Sequence, residues 1–175
     1  MTRRRRRGGV GCPSTHAPPL MDTLLTPDQL LGHWLGHRRL TRRTIEAFPS
    51  DDAFASFSVG EMRPFAALVG ELVSMSVPTL TGVVSGEWPA EPPAPPATRE
   101  HALARWDADT ERIEGLWPQV PAGRFQEVDT AFGQWTMPVW ELLLYVVDNE
   151  VHHRGQASVY LRALGVEPPA FPDRT

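Results

Sequence analysis

The densest run of chemically able side chains lies late in the chain, Asp148-Asn149-Glu150-Val151-His152-His153-Arg154-Gly155-Gln156. Read as helix, Asn149 and His153 are four residues apart and stack on one face, with Val146, Gln156 and Tyr160 beside them. At 3.6 residues per turn, Glu150 and His152 point about 100° away to either side. The apolar neighbours make the Asn149–His153 face the inward one. Each polar atom buried there without a partner costs about 1–3 kcal/mol. His153 and Asn149 therefore require a metal, a ligand, water or one another.

A second helical pair, His33 and His37 in His-Trp-Leu-Gly-His, has the i, i+4 spacing that can clamp a metal. No glutamate follows His33, so the zinc-protease pattern is missing, and with Trp34 and Leu35 on the core side at least one of the two histidines should be exposed. Serine and cysteine nucleophile motifs, P-loops and Rossmann glycines are absent from the sequence. The six tryptophans, Trp34, Trp88, Trp106, Trp117, Trp135 and Trp140, are expected in packing roles.

The elements that must position these groups are helical. Thr26-Pro27-Asp28-Gln29 combines a capping threonine, a first-turn proline and a capping-box glutamine, and Leu30, Leu31, Trp34, Leu35, Ile45 and Phe48 follow at helical spacing. Pro49-Ser50-Asp51-Asp52 should end that helix near Phe48. A second helix is expected from Pro64, with Phe65, Leu68, Leu72 and Met75 as its stripe and Pro78 as a kink or a stop. Five prolines between Pro89 and Pro96 predict a stiff, extended surface connection. Thr98 should cap a third helix running to about Leu116. Residues 117–136 read as a long irregular connection, which could wall a pocket, and no segment carries a convincing strand pattern. Pro138 opens the last helix, which runs through Leu164 to a C-capping Gly165. The expectation is an all-α fold, a four-helix bundle with long connections.

Composition bounds the rest. The 175 residues suit one domain with a real core, and 41% hydrophobic with 22% charged residues is globular usage. No stretch approaches the roughly 20 apolar residues of a bilayer span. Cys12 is the single cysteine, which excludes an internal disulfide framework and fits a cytoplasmic setting. Residues 1–20 hold Arg3 to Arg7 and no acid, and they read as an extension outside the fold, with residues 21–175 as the domain and Met21 as a natural beginning for it. Taking those five arginines from the 17 basic residues leaves 12 against 21 acidic ones, a net −9 for the body. So acidic a body disfavours nucleic acid, whose affinity comes mostly from phosphate neutralisation.

HHRGQASVYLRALGVEPP, His152 to Pro169, resembles the last helix of DinB/YfiT-like proteins; MRPFAALVGEL, Met62 to Leu72, resembles their second helix, and GHRRLTRRTIEAFP, Gly36 to Pro49, the end of their first. The resemblance implies a four-helix bundle, commonly a homodimer. It also implies a divalent metal such as zinc, nickel or manganese on three histidines, and in some relatives thiol-dependent transfer or hydrolysis with a low-molecular-weight thiol. Carried over residue by residue, His153 matches one family histidine, while Asn149 and Glu71 stand at the other two positions. The implied metal ligands are Glu71, Asn149 and His153. A carboxylate and an imidazole are good ligands; a carboxamide oxygen is weak toward zinc or nickel. With two of three histidines replaced, the alternative is a non-catalytic dimeric bundle in which Glu71 hydrogen-bonds His153 directly. His152, Gln156 and Tyr160 are candidates for a supporting layer; their plainer roles are a flanking residue, a helix–helix hydrogen bond and a core aromatic. Arg154 is expected in a surface salt bridge.

Overall fold

The computed structural model describes residues 24–175, and the expected 1–20 extension lies outside the described residues. Five α-helices follow in order: α1 Pro27–Glu46, α2 Asp51–Ser56, α3 Phe65–Ser85, α4 Arg99–Leu116 and α5 Val139–Ala163. The four long ones form the bundle. α3 packs against α4 and α5, and α1 packs against the same two from the other side.

The helix ends follow the local chemistry of the sequence. Thr26 and Gln29 exchange the two capping-box hydrogen bonds, with Gln29 N–H donating to Thr26 Oγ1 at 3.2 Å and Thr26 N–H to Gln29 Oε1 at 2.9 Å. Thr98 Oγ1 accepts from His101 N–H at 3.1 Å and fixes the start of α4. Gly165, at φ 76°, stops α5: its N–H donates to Arg162 O, and Val166 N–H donates to Leu161 O, the two bonds of a left-handed helix stop. Pro78 sits inside α3, which continues without a stop to Ser85.

Two elements depart from the sequence expectation. Pro49-Ser50-Asp51-Asp52 does end α1, but Ser50 then caps a further short helix, α2, through Ala53 N–H at 3.0 Å, with Asp51 and Asp52 at its positive end. α2 places Phe54 among Phe48 and Phe65, with ring centroids 5.2–5.8 Å apart. The supposedly irregular connection holds two single 3-10 turns and an antiparallel hairpin, β1 Val128–Ala131 with β2 Trp135–Pro138. Gln134 N–H closes the turn on Ala131 O at 3.0 Å, and Phe132 (φ 53°) and Gly133 (φ 68°) are both left-handed, as a type I′ turn requires. Four-residue strands with mostly exposed side chains give too little alternation to register as a period.

The apolar core falls into two clusters. Phe48, Phe54, Phe65, Leu72, Trp106 and Tyr160 belong to one, and Leu30, Trp34, Leu80, Ile113, Trp117 and Val147 to the other. Val120, Phe125 and Val139 join the second cluster, so the long connection caps that end of the core. The tryptophans divide: Trp34, Trp106 and Trp117 are buried, whereas Trp135 and Trp140 are 53% and 41% exposed and so depart from the packing role expected of them. Contrary to the sequence expectation, α3 is by length and composition apolar enough to cross a membrane, but 72% of its apolar window is buried inside the bundle.

The proline-rich connection lies over α3 as an extended strap. A β-carbon at Gly82 would sit 2.1 Å from the Trp88 ring, and one at Gly70 would sit 2.8 Å from the Ala94 carbonyl. Gly82→Ala should push Trp88 off the helix and cost about 1 kcal/mol or slightly more, because the partly exposed ring can move outward. A red-shifted tryptophan emission with a lowered Tm is the expected reading; unchanged emission would contradict the contact.

Candidate functional site

Glu71 on α3 and His153 and Asn149 on α5 converge between the two helices. Glu71 Oε1 accepts from His153 Nε2 at 3.0 Å and from Asn149 Nδ2 at 3.2 Å, while Oε2 pairs with the Arg63 guanidinium at 2.7 Å. Because a carboxylate only accepts, His153 Nε2 carries a proton in this arrangement. His153 Nδ1 faces Gln156 Oε1 at 3.2 Å, and Gln156 Nε2 continues the chain to His152 Nε2 at 3.2 Å. His153 is buried, Glu71 retains 26% side-chain exposure, and Arg63 is 54% exposed. Burial pushes the Glu71 carboxyl upward, but hydrogen bonds from His153, Arg63 and Asn149 outweigh it and bring the pKa down to about 2.

Of the supporting residues, His152 and Gln156 reach the cluster. Tyr160 is a fully buried core aromatic whose hydroxyl donates to the Arg63 backbone carbonyl at 2.9 Å, fixing the chain just before α3. Arg63 is the group that sequence reasoning missed. It lies two residues before the helix, where no helical spacing connects it to Glu71; its signal was only that a buried carboxylate demands a cation. The hairpin connection does not wall this cluster. His153 lies 14 residues along α5 from Val139, roughly 21 Å at 1.5 Å per residue.

A second polar system lies about 100° round α5 from the first, facing α1. Glu150 is 2% exposed, and Oε1 accepts from Thr41 Oγ1 at 2.6 Å with Arg154 Nη1 at 3.6 Å. Arg154, expected in a surface salt bridge, is instead buried, donating to Thr41 Oγ1 at 2.9 Å and to His37 Nδ1 at 2.8 Å. The reason is that a central helix of a bundle has two inward faces, so residues 100° off the first one meet the second. Arg38, also buried, donates to Thr110 Oγ1 and the Trp106 carbonyl at 2.7 and 2.9 Å and stacks 4.0 Å over the Trp106 ring. Burial raises the Glu150 carboxyl and lowers both guanidiniums, while Glu150 and the arginines favour each other's charged forms. The indole N–H of Trp34 lacks a well-formed hydrogen bond among the described residues, and the Glu150 carboxylate borders it.

His33 and His37 are adjacent, with ring centroids 4.6 Å apart, His33 exposed and His37 buried. Their spacing does not yield a metal clamp. A guanidinium only donates, so His37 Nδ1 accepts from Arg154 and Nε2 holds the proton. Burial and then the Arg154 charge lower the His37 pKa to about 4, which keeps the ring neutral.

Comparison with known proteins then places the chain. The model of the DinB family matches residues 83–174, just over half of its length. The chain belongs to the DinB family. Among solved structures, a DinB-like protein from Bacillus subtilis is similar at 21% identity and a TM-score of 0.65, covering 82% of this chain and 96% of its own. A DinB-like protein from Bacillus cereus is similar at 17% identity and a TM-score of 0.62, covering 82% and 95%. At these identities the likeness shows the fold, and the all-α bundle expected from the sequence is the fold observed. No curated protein matches the chain significantly.

The family resemblance implies a metal in this DinB chain, and the donor atoms can be tested against that. Among the described residues, no group of three His, Cys, Asp or Glu side chains is placed to hold one. At the expected triad the Nε2 proton, the carboxamide nitrogen and the Arg63 guanidinium all point at the Glu71 carboxylate. As bonded, the cluster has no free lone pair converging on a common point, and it does not fit a metal ion.

Proposed function

We infer that this DinB-family chain is a metal-independent, non-catalytic bundle that works by self-association, its family metal position taken by a closed hydrogen-bonded cluster. The observation that carries this reading is the Glu71 carboxylate, both of whose oxygens are engaged by His153, Asn149 and Arg63. Association as a homodimer is supported by the outer surface of α5, where Tyr145 and Val159 are 54% and 49% exposed. The lone cysteine supports a cytoplasmic setting.

A second reading retains zinc, nickel or manganese on Glu71, Asn149 and His153, with a low-molecular-weight thiol or water as co-reactant in transfer to, or hydrolysis of, a small electrophile. What favours it is that His153 and Asn149 both lie within 3.2 Å of the same Glu71 oxygen.

The discriminating test is thermal unfolding of the metal-stripped full chain with each metal added, beside Glu71→Ala and His153→Ala. The metal-independent reading expects Tm to stay within about 1 °C, since a ligand that does not bind the native state adds no stability. A rise of several degrees that both substitutions abolish would sink that reading and send the search to thiol transfer and hydrolysis.

A further inference from the structure

We propose that the Arg63 guanidinium is the resident cation of the Glu71–His153 cluster, and that it is the group that keeps a divalent metal from binding there. The inference rests on the metal-independent reading above and gives it a cause. Replacement of two histidines does not by itself exclude a metal, since a carboxylate and an imidazole remain. Ligands held about 2.1 Å from a tetrahedral ion lie about 3.4 Å from one another. His153 Nε2 and Asn149 Nδ2 stand 3.0 and 3.2 Å from Glu71 Oε1, close to that spacing. Rotation of the Asn149 amide would present its oxygen in place of its nitrogen. Two of the three ligand–ligand distances of a cation site are therefore approached, while the charge at Glu71 is already balanced.

Arg63 supplies that balance. Its guanidinium reaches Glu71 Oε2 at 2.7 Å from the solvent side, and no other guanidinium pairs with Glu71 among the described residues. A planar, permanently charged group so close to the carboxylate repels an incoming dication and holds one of its would-be ligand atoms. Arg63 is more than half exposed, and its backbone carbonyl, not its side chain, receives the Tyr160 hydroxyl. Its side chain can thus be removed with the fold left in place.

The test uses the full chain, stripped by chelator, titrated calorimetrically with zinc, nickel and manganese chlorides alone. Arg63→Ala and the neutral Arg63→Gln should bind at least one of the metals about 100-fold more tightly than the parent. Arg63→Lys, which keeps the charge, should behave as the parent does. Arg63→Ala combined with His153→Ala should lose the binding, and far-UV circular dichroism should be the same for all variants. Absence of binding in parent, Ala and Gln variants alike would overturn the role of Arg63 and leave the metal-independent reading standing. Parent binding as tight as that of Arg63→Ala would overturn both. Binding that survives the double substitution would put the ion elsewhere and overturn the inference.

Discussion

Glu150→Ala is expected to lower the unfolding free energy by about 3–5 kcal/mol, the scale seen when one partner of a buried ionic cluster is removed. The loss would come from the groups left behind. Thr41 loses its acceptor, Arg154 loses a counter-charge 3.6 Å away, and the buried Arg38 loses a nearby negative charge, all around a side chain only 2% exposed. Glu150→Gln keeps an oxygen for Thr41 and should cost less. Glu150→Leu combined with Arg154→Met should cost less than Glu150→Ala, because both charges leave together. Urea denaturation reads all three, and a loss below about 1 kcal/mol for Glu150→Ala would mean that the pocket floods or relaxes around the orphaned groups.

Acid should weaken the protein through Glu71 over a defined window. Its carboxyl has an ordinary pKa of 4.5 and a folded one of about 2, where burial opposes the shift and the His153, Arg63 and Asn149 hydrogen bonds impose it. Above pH 4.5 both folded and unfolded chains are ionised and the full contribution is present. As pH falls from 4.5 toward 2 the unfolded chain takes up the proton first, so stability is lost across that interval. The shift corresponds to a ceiling of about 3 kcal/mol, which the half-exposed Arg63 partner and solvent screening bring to about 2 kcal/mol. Glu150 and Asp109, both raised by burial, act in the opposite sense and favour the folded state as pH falls. The parent therefore has to be compared with Glu71→Gln at pH 5, 4 and 3. The expected result is a steeper acid loss for the parent; parallel curves would show that the carboxylate is not held by its neighbours.

Much of this architecture was legible in the sequence where local chemistry decides it. Thr26 with Gln29, Thr98 and Gly165 announce helix ends because their bonds involve residues within a few positions. The meeting of Glu71 with Asn149 and His153 was legible too, through the resemblance carried over residue by residue, and the direct Glu71–His153 bond is the one expected under the non-catalytic alternative. α2 escaped notice because Ser50 reads equally as the end of α1 and as the cap of a new helix. The hairpin escaped because its turn uses Phe132-Gly133, which lacks the Asn-Gly or Asp-Gly signature. Arg154 was assigned to the surface, and Glu150 only to an azimuth about 100° off the inward stripe, on the premise of one inward face. Spacing along a helix gives the azimuth of a side chain, but which neighbour occupies that azimuth depends on the packing of α1 against α5.

The polar layer between the two apolar clusters also acts as a ruler. Leucine and valine surfaces tolerate sliding, since one apolar ridge meets another almost as well a turn further along. Shifting α1 by one turn against α5, about 5.4 Å, would separate Thr41 from Glu150 and His37 from Arg154 together. Only one alignment of the helices satisfies all four side chains. The bundle thus carries an internal address, written in a few buried polar atoms, that tells α1 where along α5 to stop.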